Sequence, residues 1–134
     1  MLTTPPVVPS TTPNLEVRLS PGRGRGVFAT ASIRQGEVFD RAYALVIPDE
    51  QWPHIERSLL VNYCYAWGNE GALALGAGSL YNHSYTPNAR YIRRMDELVI
   101  DYVALRDIAP GDEITINYNG ATDDRSPLWF EVVP

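Results

Sequence analysis

A mainly β domain with one small α insertion is the architecture this sequence predicts, and three observations predict it. Short apolar stretches alternate with polar residues, Gly/Pro/Asp turn signals separate them, and a single segment shows helical spacing. A chain of 134 residues suits one domain able to bury a real core.

Leu15, Val17 and Leu19 alternate with Glu16 and Arg18, the pattern of a half-buried strand, and Pro21-Gly22 ends it. A glycine-rich run then leads into a strand at Val27-Phe28-Ala29. Gln35-Gly36 turns the chain before a strand at Val38-Phe39, and the apolar run from Tyr43 to Ile47 reads as another. Pro48-Asp49-Glu50 and Pro53 open the helical segment. There Ile55, Leu59, Tyr63 and Trp67 recur every fourth residue, Leu60 widens the stripe and Gly68 is placed to end it. Arg90 to Arg93 and Leu98 to Leu105 suit a hairpin around residues 94–97. Ala109-Pro110-Gly111-Asp112 is a turn, after which Ile114, Ile116 and Tyr118 alternate. The Pro/Thr/Ser-rich residues 1–14 read as a disordered or extended arm, and residues 15–134 as one domain with a short aromatic C-terminal segment.

Composition excludes several classes. The net charge of −5 carries no basic stripe, so no direct nucleic-acid binding is expected. Mild acidity fits a lysine-rich partner and plain solubility alike. Cys64 is the only cysteine, so an intramolecular disulfide and a cysteine zinc cluster are both excluded, and a reducing, intracellular setting is expected. The N-terminal stretch has neither the basic nor the apolar region of a signal peptide. No apolar run approaches the roughly 20 residues of a membrane helix.

Three stretches remain. Gly22-Arg23-Gly24-Arg25-Gly26-Val27-Phe28 lacks the Gly-Lys-Ser/Thr ending of a phosphate loop and opens no helix, so neither nucleotide motif applies. Glycines leading into a strand do let backbone approach a ligand. SLYNHSYTPNARY, residues 79–91, reads locally as an Asx-type turn that holds one of only two histidines. Taken in order, GRGVFA at 24–29, NHSYTPN at 82–88 and GDEITINY at 111–118 resemble the motifs of the SET domain of S-adenosylmethionine-dependent protein-lysine methyltransferases. PLWFEV at 127–132 is similar to the aromatic C-terminal segment of members without a zinc-binding tail. The resemblance spans residues 15–132.

That resemblance implies short curled sheets with a knot-like C-terminal threading, S-adenosylmethionine as cofactor, no metal, and a lysine of a protein or peptide as substrate. It implies that Arg23, Gly24, Arg25, Gly26, Asn82, His83, Tyr118 and Trp129 hold the cofactor. Tyr118 would be the catalytic tyrosine, and Tyr91 a second one that limits how many methyls are added. Tyr43 would be a further channel tyrosine, while Pro87 and Asn88 shape the loop. Tyr85 stands where zinc-tailed members carry cysteine, so Trp129 and Phe130 would form the lid without metal. Asn117 departs from the acidic or small residue common before the tyrosine.

The chemistry accounts for such residues. Methyl transfer from a sulfonium needs in-line placement of a neutral amine. A lysine with a pKa of about 10.4 must first lose its proton, and a dry aromatic channel disfavours the ammonium form. Tyrosines supply flat walls for the stem and hydroxyls for the nitrogen. The alternative is a catalytically silent module of the same fold that binds a peptide. Retention of Asn82, His83, Tyr91 and Tyr118 together separates the two, since a binding module has no use for that set.

Overall fold

The computed structural model describes residues 14–132, so residues 1–13 of the expected arm lie outside it. The chain runs through β1 (Leu15–Ser20), β2 (Gly24–Ala29), β3 (Val38–Ile47), α1 (Trp52–Glu56), β4 (Cys64–Trp67) and β5 (Glu70–Ala74). It continues through β6 (Asn82–His83), β7 (Ala89–Arg94), β8 (Val99–Ala104) and β9 (Glu113–Ile116). Two sheets result, one ordered β1-β2-β9-β6 and the other β4-β5-β3-β8-β7. No helix among the described residues is long and apolar enough to cross a membrane.

The predicted hairpin is β7 and β8, paired from Ala89↔Ala104 to Arg94↔Val99. All six residues of β8 are buried, because β8 lies between β3 and β7 with both faces covered. Asp101 on its outer face is held by Arg41 through two bonds of 2.6 and 3.0 Å and by Arg94 at 3.1 Å, which supplies the pairing a buried carboxylate requires. The core beneath combines Val27, Ile33, Ile100, Tyr102, Ile114 and Ile116, all at most 1% exposed. Each such side chain contributes about 1.5–3 kcal/mol of burial.

Three expectations are corrected. The long helix does not form. Only Trp52–Glu56 is α-helical, a 3-10 turn follows at Leu59–Tyr63, and residues 64–67 become β4. Ser58 interrupts the helix, its hydroxyl accepting from Leu60 N at 3.2 Å. Gly68, at φ +61°, takes the first central position of the two-residue hairpin turn between Trp67 and Glu70, a place that suits glycine. Second, Val38-Phe39 and Tyr43 to Ile47 are one strand, continuous through a register shift between Val38 and Asp40. Third, Val17 and Leu19 are 44% and 80% exposed, because β1 is the edge of its sheet and only Leu15 of that set packs against the core.

The sheet that carries the site closes through β9, which pairs antiparallel with β2 (Val27↔Ile114) and parallel with β6 (Asn82↔Thr115, His83↔Ile116). Asn88 secures this closure: its Nδ2 donates to Glu113 O and its Oδ1 accepts from Thr115 N, each at 2.8 Å. Asn88→Ala leaves both backbone groups without a partner and should lower stability by about 1–3 kcal/mol, read as a lower denaturation midpoint. A midpoint equal to wild type would remove Asn88 from the closure.

Candidate active site

Parallel pairing of β6 with β9 sets His83 beside Tyr118. The backbone N–H of Tyr118 donates to His83 Nδ1 at 3.0 Å, so this nitrogen is an acceptor and the ring proton sits on Nε2. Burial, then the nearby Arg23 charge, holds the His83 pKa below the usual imidazole value. Among the described residues, Nε2 is the one buried side-chain nitrogen or oxygen without a hydrogen-bond partner. An orphaned buried donor is costly and marks a place for a ligand or ordered water.

Tyr118 is fixed at both ends. Beyond its amide, the hydroxyl donates to Tyr81 O at 2.6 Å, and the ring lies 5.3 Å from His83. Burial pushes its phenol up to about 12, with Tyr63 and Glu113 adding to the shift. Three cavities meet at this residue. One of ≈ 320 Å³ lies against Arg23, Gly24, Arg25 and Asn82, and one of ≈ 270 Å³ against Gly22, His83, Phe130 and Glu131. The third, of ≈ 90 Å³, is narrow and walled by Tyr63, Tyr65, Tyr81, Tyr91 and Trp129.

Glu113 carried no expectation, although it opens the Glu-Ile-Thr-Ile stretch. It accepts from Ser20 Oγ at 2.6 Å and from Asn82 Nδ2 at 2.7 Å, and it sits 3.6 Å from the Arg23 guanidinium. Asn82 Nδ2 also donates to Arg25 O at 2.9 Å. Both amide protons of Asn82 are thereby engaged, and its amide oxygen is the group that can serve a ligand. Gly26 lies behind the wall: a Cβ there would collide with Glu113 Oε2 and Asn82 Nδ2. Its missing side chain makes room for that pair and opens no face to a ligand. Arg23, Gly24 and Arg25 do line the wide cavity, Gly24 at φ +79°.

The two C-terminal aromatics divide between cavities in a way the sequence does not show. Trp129 stacks on Tyr118 at 6.0 Å and 16° and lines the narrow cavity, whereas Phe130 and Glu131 line the cavity at His83. Tyr91 faces the narrow cavity, its phenol raised by burial. Tyr43 does not: it is 72% exposed on the outer face of the second sheet, because Ala42 and Ala44 take the inward positions. Tyr65, in the stretch read as helix, takes part in the wall. Its signal was the alternation of Cys64 to Trp67, which competes with the fourfold spacing.

His83 should be mostly neutral at pH 6.5, the neutral ring carrying its proton on Nε2, and nitrogen NMR of the ring reads this directly. The sign for stability follows. With the folded pKa depressed, the unfolded chain binds a proton the native one refuses, so stability falls as pH drops through about 6.5. A doubly protonated ring at that pH in the folded protein would overturn the assignment.

Known proteins bear on this geometry. The SET domain family profile matches residues 24–119. A Schizosaccharomyces pombe histone-lysine N-methyltransferase, H3 lysine-37 specific, is 34% identical over 120 residues, covering 87% of this chain and 77% of that protein. The crystal structure of a candidate histone methyltransferase from Plasmodium falciparum superposes with a TM-score of 0.65 at 33% identity, over 78% of this chain and 92% of the other. The motifs, the sheet closed through β9 and these likenesses agree, and the chain belongs to the SET-domain family of protein-lysine methyltransferases.

Proposed function

We propose that the protein transfers methyl groups from S-adenosylmethionine to a lysine of a histone or similar basic protein, with the cofactor in the wide cavities and the lysine in the narrow one. The observation that carries this assignment is that Tyr118 lines all three cavities, so a group on either side is in reach of it. The size difference supports it: ≈ 90 Å³ fits the end of one side chain, whereas ≈ 320 and ≈ 270 Å³ suit a larger ligand. The cofactor fits the residues present. The orphaned His83 Nε2–H, the Asn82 amide oxygen, the Arg23–Arg25 backbone and the Phe130 ring offer a donor, an acceptor, a close backbone and an apolar face. When bound, S-adenosylmethionine supplies an already activated methyl.

The residues of this chain do the rest. The walls of Tyr63, Tyr65, Tyr91 and Trp129 exclude water and disfavour a charged ammonium, so the amine arrives as a nucleophile. Tyr118, held by His83 and Tyr81, is a wall shared by the narrow cavity and the wide ones, a contribution of orientation. With its pKa near 12 the phenol stays protonated, so it orients groups and does not act as a base. Asn82, tied to Glu113, would hold the amino-acid side of the cofactor through its free amide oxygen.

Calorimetry with S-adenosylmethionine, then mass spectrometry of histone incubated with protein and cofactor, tests the assignment. The chain has eleven arginines and no lysine, so lysine methylation seen in the assay belongs to the added substrate. Failure to bind the cofactor, or binding without any methylated lysine, would refute it.

Tyr118→Phe should fold and lose about a hundredfold in transfer rate, equivalent to about 2.7 kcal/mol. The ratio of wild type to variant should stay constant from about pH 7 to about 10, since the phenol is neutral throughout that range. A ratio that climbs with pH would mean a phenolate acts. Tyr91→Phe should retain activity and raise the number of methyls added, because its hydroxyl occupies space a methylated amine needs. Product masses identical to wild type would count against that placement.

A further inference from the structure

One wall of the narrow cavity belongs to no motif. Tyr65, on β4, faces Tyr91 with ring centroids 5.0 Å apart at 79°. Its hydroxyl donates to Gly78 O at 2.6 Å and accepts from the Tyr102 hydroxyl at 2.9 Å. Tyr65 and Gly78 line the cavity, while Tyr102 is fully buried behind it. Glycine at 78 is what lets these groups meet, since a Cβ there would sit 2.8 Å from the Tyr102 oxygen.

The proton order follows from these partners. A carbonyl oxygen only accepts, so the Tyr65 O–H points at Gly78, and the shorter contact of Tyr102 directs its O–H to the Tyr65 oxygen. Burial keeps both phenols protonated, their pKa values well above the ordinary tyrosine range. A phenol oxygen offers one donor and two acceptor sites. Tyr65 has given its proton to Gly78 and one acceptor site to Tyr102, so toward the cavity it can only accept. A neutral lysine amine attacking with its lone pair still carries N–H bonds that need acceptors, and each methyl added removes one.

Resting on the assignment of this cavity to the lysine, we propose that Tyr65 is a specificity-determining residue: its oxygen accepts an N–H of the target amine and thereby favours unmethylated over dimethylated lysine. Tyr65→Phe keeps the ring and deletes the acceptor. The ratio of kcat/KM on a dimethylated to an unmethylated lysine peptide should rise about tenfold, the scale of one hydrogen bond. Tyr102→Phe removes a buried hydroxyl from the same network but leaves the Tyr65 hydroxyl and its bond to Gly78 in place. It should lower the melting temperature and leave the ratio unchanged. A ratio unmoved in Tyr65→Phe, or moved equally in Tyr102→Phe, overturns the proposal. If Tyr65→Phe does not fold, Tyr65→Leu takes its place, and if neither folds Tyr65 is a core residue and the proposal falls. Wild-type protein that methylates no lysine peptide defeats the parent assignment, whereas an active wild type with an unmoved ratio defeats the role of Tyr65 alone.

Discussion

The pairing of two residues of β6 with β9 is the constraint on which the site depends. Without Asn82↔Thr115 and His83↔Ile116, the imidazole has no reason to meet the Tyr118 amide. That single hydrogen bond links a residue before the Thr-Pro-Asn turn to one 35 positions later. It fixes the tautomer of His83, the direction of Tyr118 as it leaves the strand, and through the Tyr118 hydroxyl the Tyr81 carbonyl at the rim of the narrow cavity. Two strand residues would be a weak ladder alone. Asn88 reinforces it by bonding two backbone groups of β9, and Ser84 N adds a further bond to Ile116 O at 2.9 Å.

A second tie crosses the sheet. Glu113 joins Ser20 at the end of β1, Arg23 in the following turn and Asn82 of β6, so one carboxylate fixes the relative placement of three stretches. Gly26 makes this possible by leaving empty the volume the Glu113–Asn82 pair occupies. The glycine-rich run thus has two functions. Gly24 supplies a left-handed turn beside the cavity, and Gly26 supplies space on the strand behind it.

Residues that repeat a short pattern were legible in the sequence, and residues that act across the fold were not. The β7–β8 hairpin, the turn at 109–112 and the order of the three motifs could be read because each is written locally. Residues 63–67 satisfy two periodicities at once, and the helical one fails because β4 gains a full antiparallel partner in β5. β6 is too short to carry any period. Tyr43 misses the narrow cavity and Tyr65, for which no role was expected, enters its wall for a related reason: which face of a strand points inward is decided by neighbouring strands, and no spacing within the segment reveals it. Likewise, adjacent Trp129 and Phe130 look equivalent in the sequence but serve different cavities.

The position of β9 has a consequence for how the chain reaches its native state. Among the described residues, the strand that comes last in the chain lies inside its sheet, between β2 and β6. Until it docks, the N-terminal hairpin and the β6 segment have no common neighbour, and both present unpaired backbone. The second sheet can assemble without it from β3, β4, β5, β7 and β8, none of whose pairings spans as much chain as Val27↔Ile114. Folding is therefore expected to proceed through a half-formed molecule in which the second sheet is complete and the first is open, with β9 insertion as the slow, high-contact-order step. Open strand edges in such a species invite pairing between chains, so yield on refolding should depend on protein concentration more than the stability of the finished fold would suggest.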